Sequence, residues 1–257
     1  MHATRAAFVR ALAALFVGAL LLAPRAYADA CSAATWPDSG PGIPSGACTE
    51  FGTYVLGGTG SELSLWRERA SADRIPTARV EALRDDLLGR IGPGVLRALS
   101  SLPGMRLPPQ VHIVLVGERP GTDERPIYAR TLPMPDSSPP ACYVVLFNEP
   151  ARLADGEART IAHELFHCAQ YHTWPRAEGG AQSLWWREGS AVWFEDLALP
   201  RLEGSSNLRL ALTLFRDRSS EHSLLEGTYS NVVFFSWLGA DRMVPYLEAV
   251  ATSGGTQ

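Results

Sequence analysis

Two histidines and a glutamate stand at a spacing that suits metal chemistry. The run Thr160 to Cys168 reads T-I-A-H-E-L-F-H-C, so His163, Glu164 and His167 form H-E-x-x-H. Apolar spacing around them predicts a helix from Glu157 to His172. At about 3.6 residues per turn the two imidazoles lie one above the other, about 40° apart around the axis, where they can share one Zn²⁺. Glu164 falls about 60° beyond His167, placed to take a proton from water without being a ligand itself. A hydrolytic zinc site needs a third protein ligand and an open position. Glu188 follows His167 by 21 positions, on a second helical pattern from Leu184 to Leu199. A connection containing Pro175 and Gly179-Gly180 leaves room for that helix to return and present Glu188 to the metal.

The third ligand separates known groups. The metzincin pattern would require glycine at 170 and histidine at 173, where this chain has Gln170 and Thr173. H-E-L-F-H followed by W-R-E-G-S-A (Trp186 to Ala191) instead resembles the gluzincin metallopeptidases of the peptidase MA-like superfamily. The resemblance spans roughly Val111 to Val250. It implies one catalytic Zn²⁺ held by His163, His167 and Glu188, with Glu164 as the base. The run opening at Tyr229 resembles that group's helix whose first tyrosine stabilises the oxyanion, which makes Tyr229 a candidate catalytic residue. Relatives carry an aspartate four positions after the glutamate ligand to orient a histidine; here that position is Val192. Glu195, seven positions on and on nearly the same helical face, is either the substitute partner or a solvated acid. No G-x-M-E-N segment of the zinc aminopeptidases is present, so endopeptidase action on a peptide or protein is the expectation. The rival readings are a non-catalytic binding module on the same scaffold and a zinc hydrolase of a non-peptide amide or ester. The chain ends soon after the last helical pattern, where that group continues, so either a short version of the domain or an incomplete chain is expected.

The neighbouring residues must hold this helix in place. Ile161, Leu165 and Cys168 share a stripe within about 60°, opposite the histidines, and should face the core. That sets Cys168 aside as a ligand and suits a bridge to Cys142. His172 lies on the same stripe and reads as a packing or helix-end histidine. Trp185, Trp186 and Trp193 read as core or groove wall. Three strands are predicted, Val111 to Val116, Ile127 to Leu132 and Cys142 to Phe147, the last two separated by the proline-rich stretch Pro133 to Pro140. Upstream, Thr77 to Arg90 is helical and broken by Gly92-Pro93-Gly94, with a short helix from Val95 to Leu102. Downstream, Asn207 to Arg216 and Tyr229 to Val250 are helical. The fold class is α+β: an N-terminal mixed sheet packed on the helix bearing the histidines, then a mainly helical half. A substrate peptide would add to an exposed strand edge, with Cys142 to Phe147 as the strand expected there.

Composition bounds the setting. The 257 residues are 46% hydrophobic and 19% charged, which excludes a disordered chain and a polytopic membrane protein. Arg5 and Arg10, the apolar run Ala11 to Ala23 and Ala26-Tyr27-Ala28 make up the three parts of a signal peptide over residues 1–28. Its removal takes three arginines and no acid, moving the formal charge from −4 to −7. An acidic chain without a basic cluster argues against nucleic acid and against stable membrane association. The expected location is secreted or periplasmic. Cys31, Cys48, Cys142 and Cys168 all lie in the exported part, and an even count there suggests two disulfides. Of three possible pairings, Cys31–Cys48 and Cys142–Cys168 are favoured. Residues 29–60 are expected to be a loop-rich extension, and residues 61–257 one zincin-like domain.

Overall fold

The structure is a computed structural model that describes residues 47–57, 60–117, 121–122, 125–134, 137–147, 154–175, 183–200, 206–218 and 220–253. The expected signal peptide of residues 1–28, Cys31, most of the expected extension and the last four residues lie outside this set.

The fold is α+β. Strands β1 (Cys48–Leu56), β2 (Ser61–Glu68), β3 (Gln110–Val116), β6 (Ala129–Met134) and β7 (Ala141–Phe147) form one sheet in the order β1-β2-β3-β7-β6. The sheet is mixed: β2, β3 and β7 run parallel, while β1 and β6 are antiparallel edges. Two short strands, β4 (Gly121–Thr122) and β5 (Arg125–Pro126), pair separately. Helices α1 (Thr77–Asp86) and α2 (Gly92–Ser100) connect β2 to β3. After β7 come α3 (Ala154–Thr173), α4 (Leu184–Ala198), α5 (Ser206–Arg218), α6 (Val232–Leu238) and α7 (Ala240–Thr252).

Strand alternation divides the sheet into two apolar faces. Val111, Ile113 and Leu115 of β3, with Cys142, Val144 and Leu146 of β7, join the main core. Ile161, Leu165 and Cys168 of α3 lie in the same core, all fully buried, so the stripe read from the sequence is the one that faces the sheet. A disulfide between Cys142 and Cys168 ties α3 to β7 directly. Cys48 is disulfide-bonded as well. The other sheet face carries His112, Trp66, Val114, Tyr143, Val145 and Phe147, also buried.

Several elements differ from the sequence reading. β1 occupies Cys48–Leu56, inside the stretch expected to be loop. Its register shifts between Glu50 and Gly52, and such a bulge breaks the alternation by which a strand is recognised. β2 was likewise not expected. Gly92-Pro93-Gly94 does not break the helix: a π-helical turn at Leu87–Ile91 carries the chain into α2, and Pro93 sits in its first turn, where a missing N–H is harmless. Gly94 is there for proximity, since a Cβ on it would meet the carbonyl of Ala198 on α4 at 2.6 Å. β6 runs on through Pro133, which an edge strand tolerates. The expected single helix from Tyr229 to Val250 is a 3₁₀ turn (Tyr229–Asn231), α6 and α7, interrupted at Gly239 with φ +74°. The strand Cys142 to Phe147 has no free edge: β7 lies between β3 and β6, so the edge beside α3 is β6.

Candidate metal centre

α3 and α4 build the site together. Their contacts descend in order, Arg159 with Asp196, His163 with Glu195 and Gln170 with Ser190, so the helices run antiparallel. The imidazoles of His163 and His167 stand 4.7 Å apart between centroids, on the face of α3 away from the sheet. Glu188 reaches both: its Oε2 is 3.1 Å from His163 Nε2, and its Oε1 is 3.5 Å from His167 Nε2. One donor atom from each of the three residues lies within 4.8 Å of the others, so His163, His167 and Glu188 form a group able to hold a metal ion.

The remaining histidine nitrogens are committed elsewhere, and this is the test of fit. His163 Nδ1 donates to Glu195 Oε1 at 2.9 Å; a carboxylate only accepts, so that nitrogen carries the hydrogen. His167 Nδ1 donates to Gln170 Oε1 at 2.7 Å. The Gln170 amide group in turn donates to Ser190 Oγ at 2.9 Å and to the Arg187 carbonyl at 3.4 Å, which fixes its orientation. Both Nε2 atoms are thereby turned toward the Glu188 carboxylate. Acceptors behind ligand histidines fix tautomer and ring angle in metal sites.

The charges agree with that assignment. Burial alone pulls the His163 imidazole down, but its bonds to Glu188 and Glu195 outweigh this and hold the metal-free ring up at about 10. Burial pushes the Glu188 carboxyl up, and hydrogen bonds from His163 and His167 outweigh it, holding the group well below the usual carboxylate range. In the absence of a cation the cluster therefore holds a proton where a divalent ion would sit, and metal competes with that proton.

Glu164 is buried beside the histidines, and Thr131 of β6 donates to its Oε2 at 2.5 Å and to its backbone oxygen at 3.1 Å. Tyr229 packs its ring 6.0 Å from that of His163. The residue is 57% exposed, yet its hydroxyl end is turned inward. Burial there, followed by the charges of Glu188 and Glu164, pushes the phenol well above its ordinary range. It remains a proton donor at neutral pH. Asn231 anchors this turn, donating to the Trp185 carbonyl at 3.1 Å and to the Leu224 carbonyl at 2.9 Å. A cavity of about 440 Å³ opens over the site, with His163, Glu164, Glu195, Tyr229, Val192 and Leu214 in its wall.

Of the residues read from the sequence, His163, Glu164, His167, Glu188, Tyr229 and Glu195 converge here. Trp185, Trp186 and Trp193 are buried in the main core. His172, at the end of α3, is half-buried, and burial followed by the charge of Arg106 lowers it. The sequence reading missed Thr131, and considered Gln170 only as a departure from another pattern. Gln170 follows His167 by three positions, which puts it on the same helix face and was the one available signal. No protein-family model matches the chain, and no curated protein matches it.

Proposed function

We propose that this chain is an exported zinc-dependent peptidase of the gluzincin type. The observation that carries the reading is the convergence of two imidazole nitrogens and one carboxylate from α3 and α4, with each opposite ring nitrogen tied to its own acceptor. Two nitrogens and one oxygen are the donor set of hydrolytic zinc sites. Zinc, when bound, supplies Lewis acidity that polarises a carbonyl and brings the pKa of water toward neutrality. Glu164 takes the proton from the attacking water and passes it to the leaving amine. Thr131 holds that carboxylate by one oxygen and leaves the other to work. Tyr229 donates a hydrogen bond to the developing oxyanion. The substrate backbone pairs with the open edge of β6, the strand that carries Thr131, so scissile bond and base come into register. The Cys142–Cys168 disulfide supports an oxidising compartment, and no helix among the described residues is long and apolar enough to cross a membrane.

Metal analysis of the purified mature protein, paired with cleavage of a peptide library, tests the reading. One equivalent of zinc is expected, with cleavage lost to a chelator and restored by zinc. Glu164→Gln should keep the metal and lose a factor of about 10²–10⁴ in rate. Wild-type cleavage by that variant would remove Glu164 as the base. Zinc without any hydrolysis would favour the binding module.

A further inference from the structure

Arg187 is a buried cation without a direct ion pair among the described residues, although the charge of Glu188, next in the chain, acts on it. It precedes Glu188 on α4 and is only 7% exposed. Its guanidinium lies over the ring of Tyr171, with Cζ 4.2 Å from the centroid. Among the described residues its side-chain hydrogen bonding amounts to one long contact, 3.4 Å from Nη1 to Ser183 Oγ. Arg159, buried to the same degree, is paired with Asp196. Among the described residues no carboxylate stands within ion-pair distance of Arg187. A guanidinium has five N–H donors, and enclosing its charge without a hydrogen-bonded counter-charge is costly. Stacking on Tyr171 offsets only part of that cost.

Arg187 is not sealed off completely. Among the described residues the sealed side-chain polar atoms without a partner are Arg67 Nε, Arg159 Nε, Thr173 Oγ1 and Trp186 Nε1. No nitrogen of Arg187 belongs to that set, and the residue keeps 7% of its surface exposed. The location is next to the metal-ligand cluster. Tyr171, under the guanidinium, lies 6.5 Å from the ring of His167, and the Arg187 carbonyl accepts from Gln170, which holds His167. This is the His167 side of the centre. The large cavity lies on the other side, against His163, Glu195 and Tyr229, and includes neither His167 nor Arg187.

We propose that Arg187 forms a carboxylate-binding subsite on the His167 side of the metal centre, taking an acidic group of the substrate. The inference rests on the peptidase reading for its substrate class. The group is a peptide's terminal carboxylate or an Asp or Glu side chain; both offer two oxygens to the planar guanidinium fork. A site built around a charge-assisted pair discriminates strongly against the neutral isostere, because the buried cation then stays unpaired. An arginine that only props Tyr171 by stacking would discriminate against nothing.

Matched peptides test this with the zinc-loaded protein. One arm exchanges Glu for Gln at each position around the cleaved bond, and the other exchanges a free C-terminus for its amide. The acid of at least one pair should exceed its neutral partner by about tenfold or more in kcat/KM. The arm that shows the difference identifies the carboxylate. In Arg187→Gln the ratio should collapse toward one, while Arg187→Lys, which keeps the charge without the fork, should retain part of it. A second readout needs no turnover: calorimetric titration of the same acid and neutral peptides into Glu164→Gln should show the same preference. If peptides are cleaved with acid and neutral partners equal throughout, the subsite is wrong and the peptidase stands. If no peptide is cleaved but the acids bind selectively, the subsite stands and the peptidase reading fails. If Arg187→Gln does not fold, the wild-type ratio and Arg187→Lys decide: no wild-type preference, or full preference in the lysine variant, overturns the assignment.

Discussion

Glu195 Oε1 lies 2.9 Å from Nδ1 of His163, while Glu188 Oε2 lies 3.1 Å from Nε2 of the same ring. The two carboxylates are seven residues apart on α4, two helical turns, so one helix grips one imidazole from both sides. Gly189, next to Glu188, lets this helix sit close to its neighbours: a Cβ there would meet Asn231 Cβ at 2.7 Å and Phe235 at 2.8 Å. Asn231 anchors the turn that presents Tyr229. The positions of Glu188, Glu195 and Tyr229 are thus set by the same packing.

Removing the orienting acid should loosen the metal. Glu195→Ala leaves His163 Nδ1 without its acceptor and frees the ring to turn, and a loss of about 10–100-fold in zinc affinity is expected. Glu195→Gln keeps an acceptor oxygen and should lose less. Competition against a chromophoric chelator measures both, and an alanine variant that binds zinc like wild type would show the contact to be idle.

Local spacing explains why part of this was legible. The positions of His163, Glu164 and His167 follow from helical geometry alone, and Glu188 from a helix that had room to return. Glu195 stayed ambiguous because two residues seven apart share a face whether that face meets a histidine or water. Gln170 and Thr131 were out of reach: one depends on where Ser190 and the Arg187 carbonyl fall across the helix pair, the other on which strand ends as the edge over α3. The fold was read least well where glycine and proline serve contact. Gly94 and Pro133 look like punctuation in a sequence, and here they allow a close helix approach and occupy an edge strand.

Tyr229→Phe should act on the chemical step alone. The hydroxyl removed is the inward end of the residue, beside Glu188, so a melting curve of the variant separates any loss of stability from the loss of rate. A donor to the oxyanion contributes about 10²–10³ in kcat, with KM nearly unchanged. Steady-state kinetics on one good peptide separates the two parameters. A variant with raised KM and normal kcat would make Tyr229 a binding residue.

The disulfide should carry measurable stability at the site itself. Cys142 and Cys168 are 26 residues apart, and closing a loop of that length is worth about 3.5 kcal/mol in the chain-entropy account. For a domain of this size, at about 2–4 °C per kcal/mol, the double variant Cys142→Ala/Cys168→Ala should melt roughly 10 °C lower. Cys168 follows His167 directly, so zinc affinity should fall with it. Unchanged melting with and without reductant would mean that the bridge is dispensable.

The far face of the sheet should make stability depend on pH through His112. This ring lies 4.6 Å from Tyr143, and its Nδ1 is 2.6 Å from Ser64 Oγ. Trp66 Nε1 donates to that same hydroxyl oxygen at 2.6 Å, so the ring belongs to a buried Trp66–Ser64–His112 hydrogen-bonded chain. Burial lowers His112 from 6.5 to about 4, against a smaller upward pull from Glu62. The unfolded chain therefore binds a proton as pH falls through 6.5, while the folded chain does not until about 4. Stability from this group is complete above 6.5 and is lost as pH falls toward 4, by roughly 2 kcal/mol between pH 7 and 4.5. Urea unfolding at both pH values, in wild type and His112→Gln, isolates the contribution, because the two proteins differ at this ring alone. The glutamine variant should show the shallower pH dependence by that amount; identical slopes would mean that His112 is charged in the folded protein.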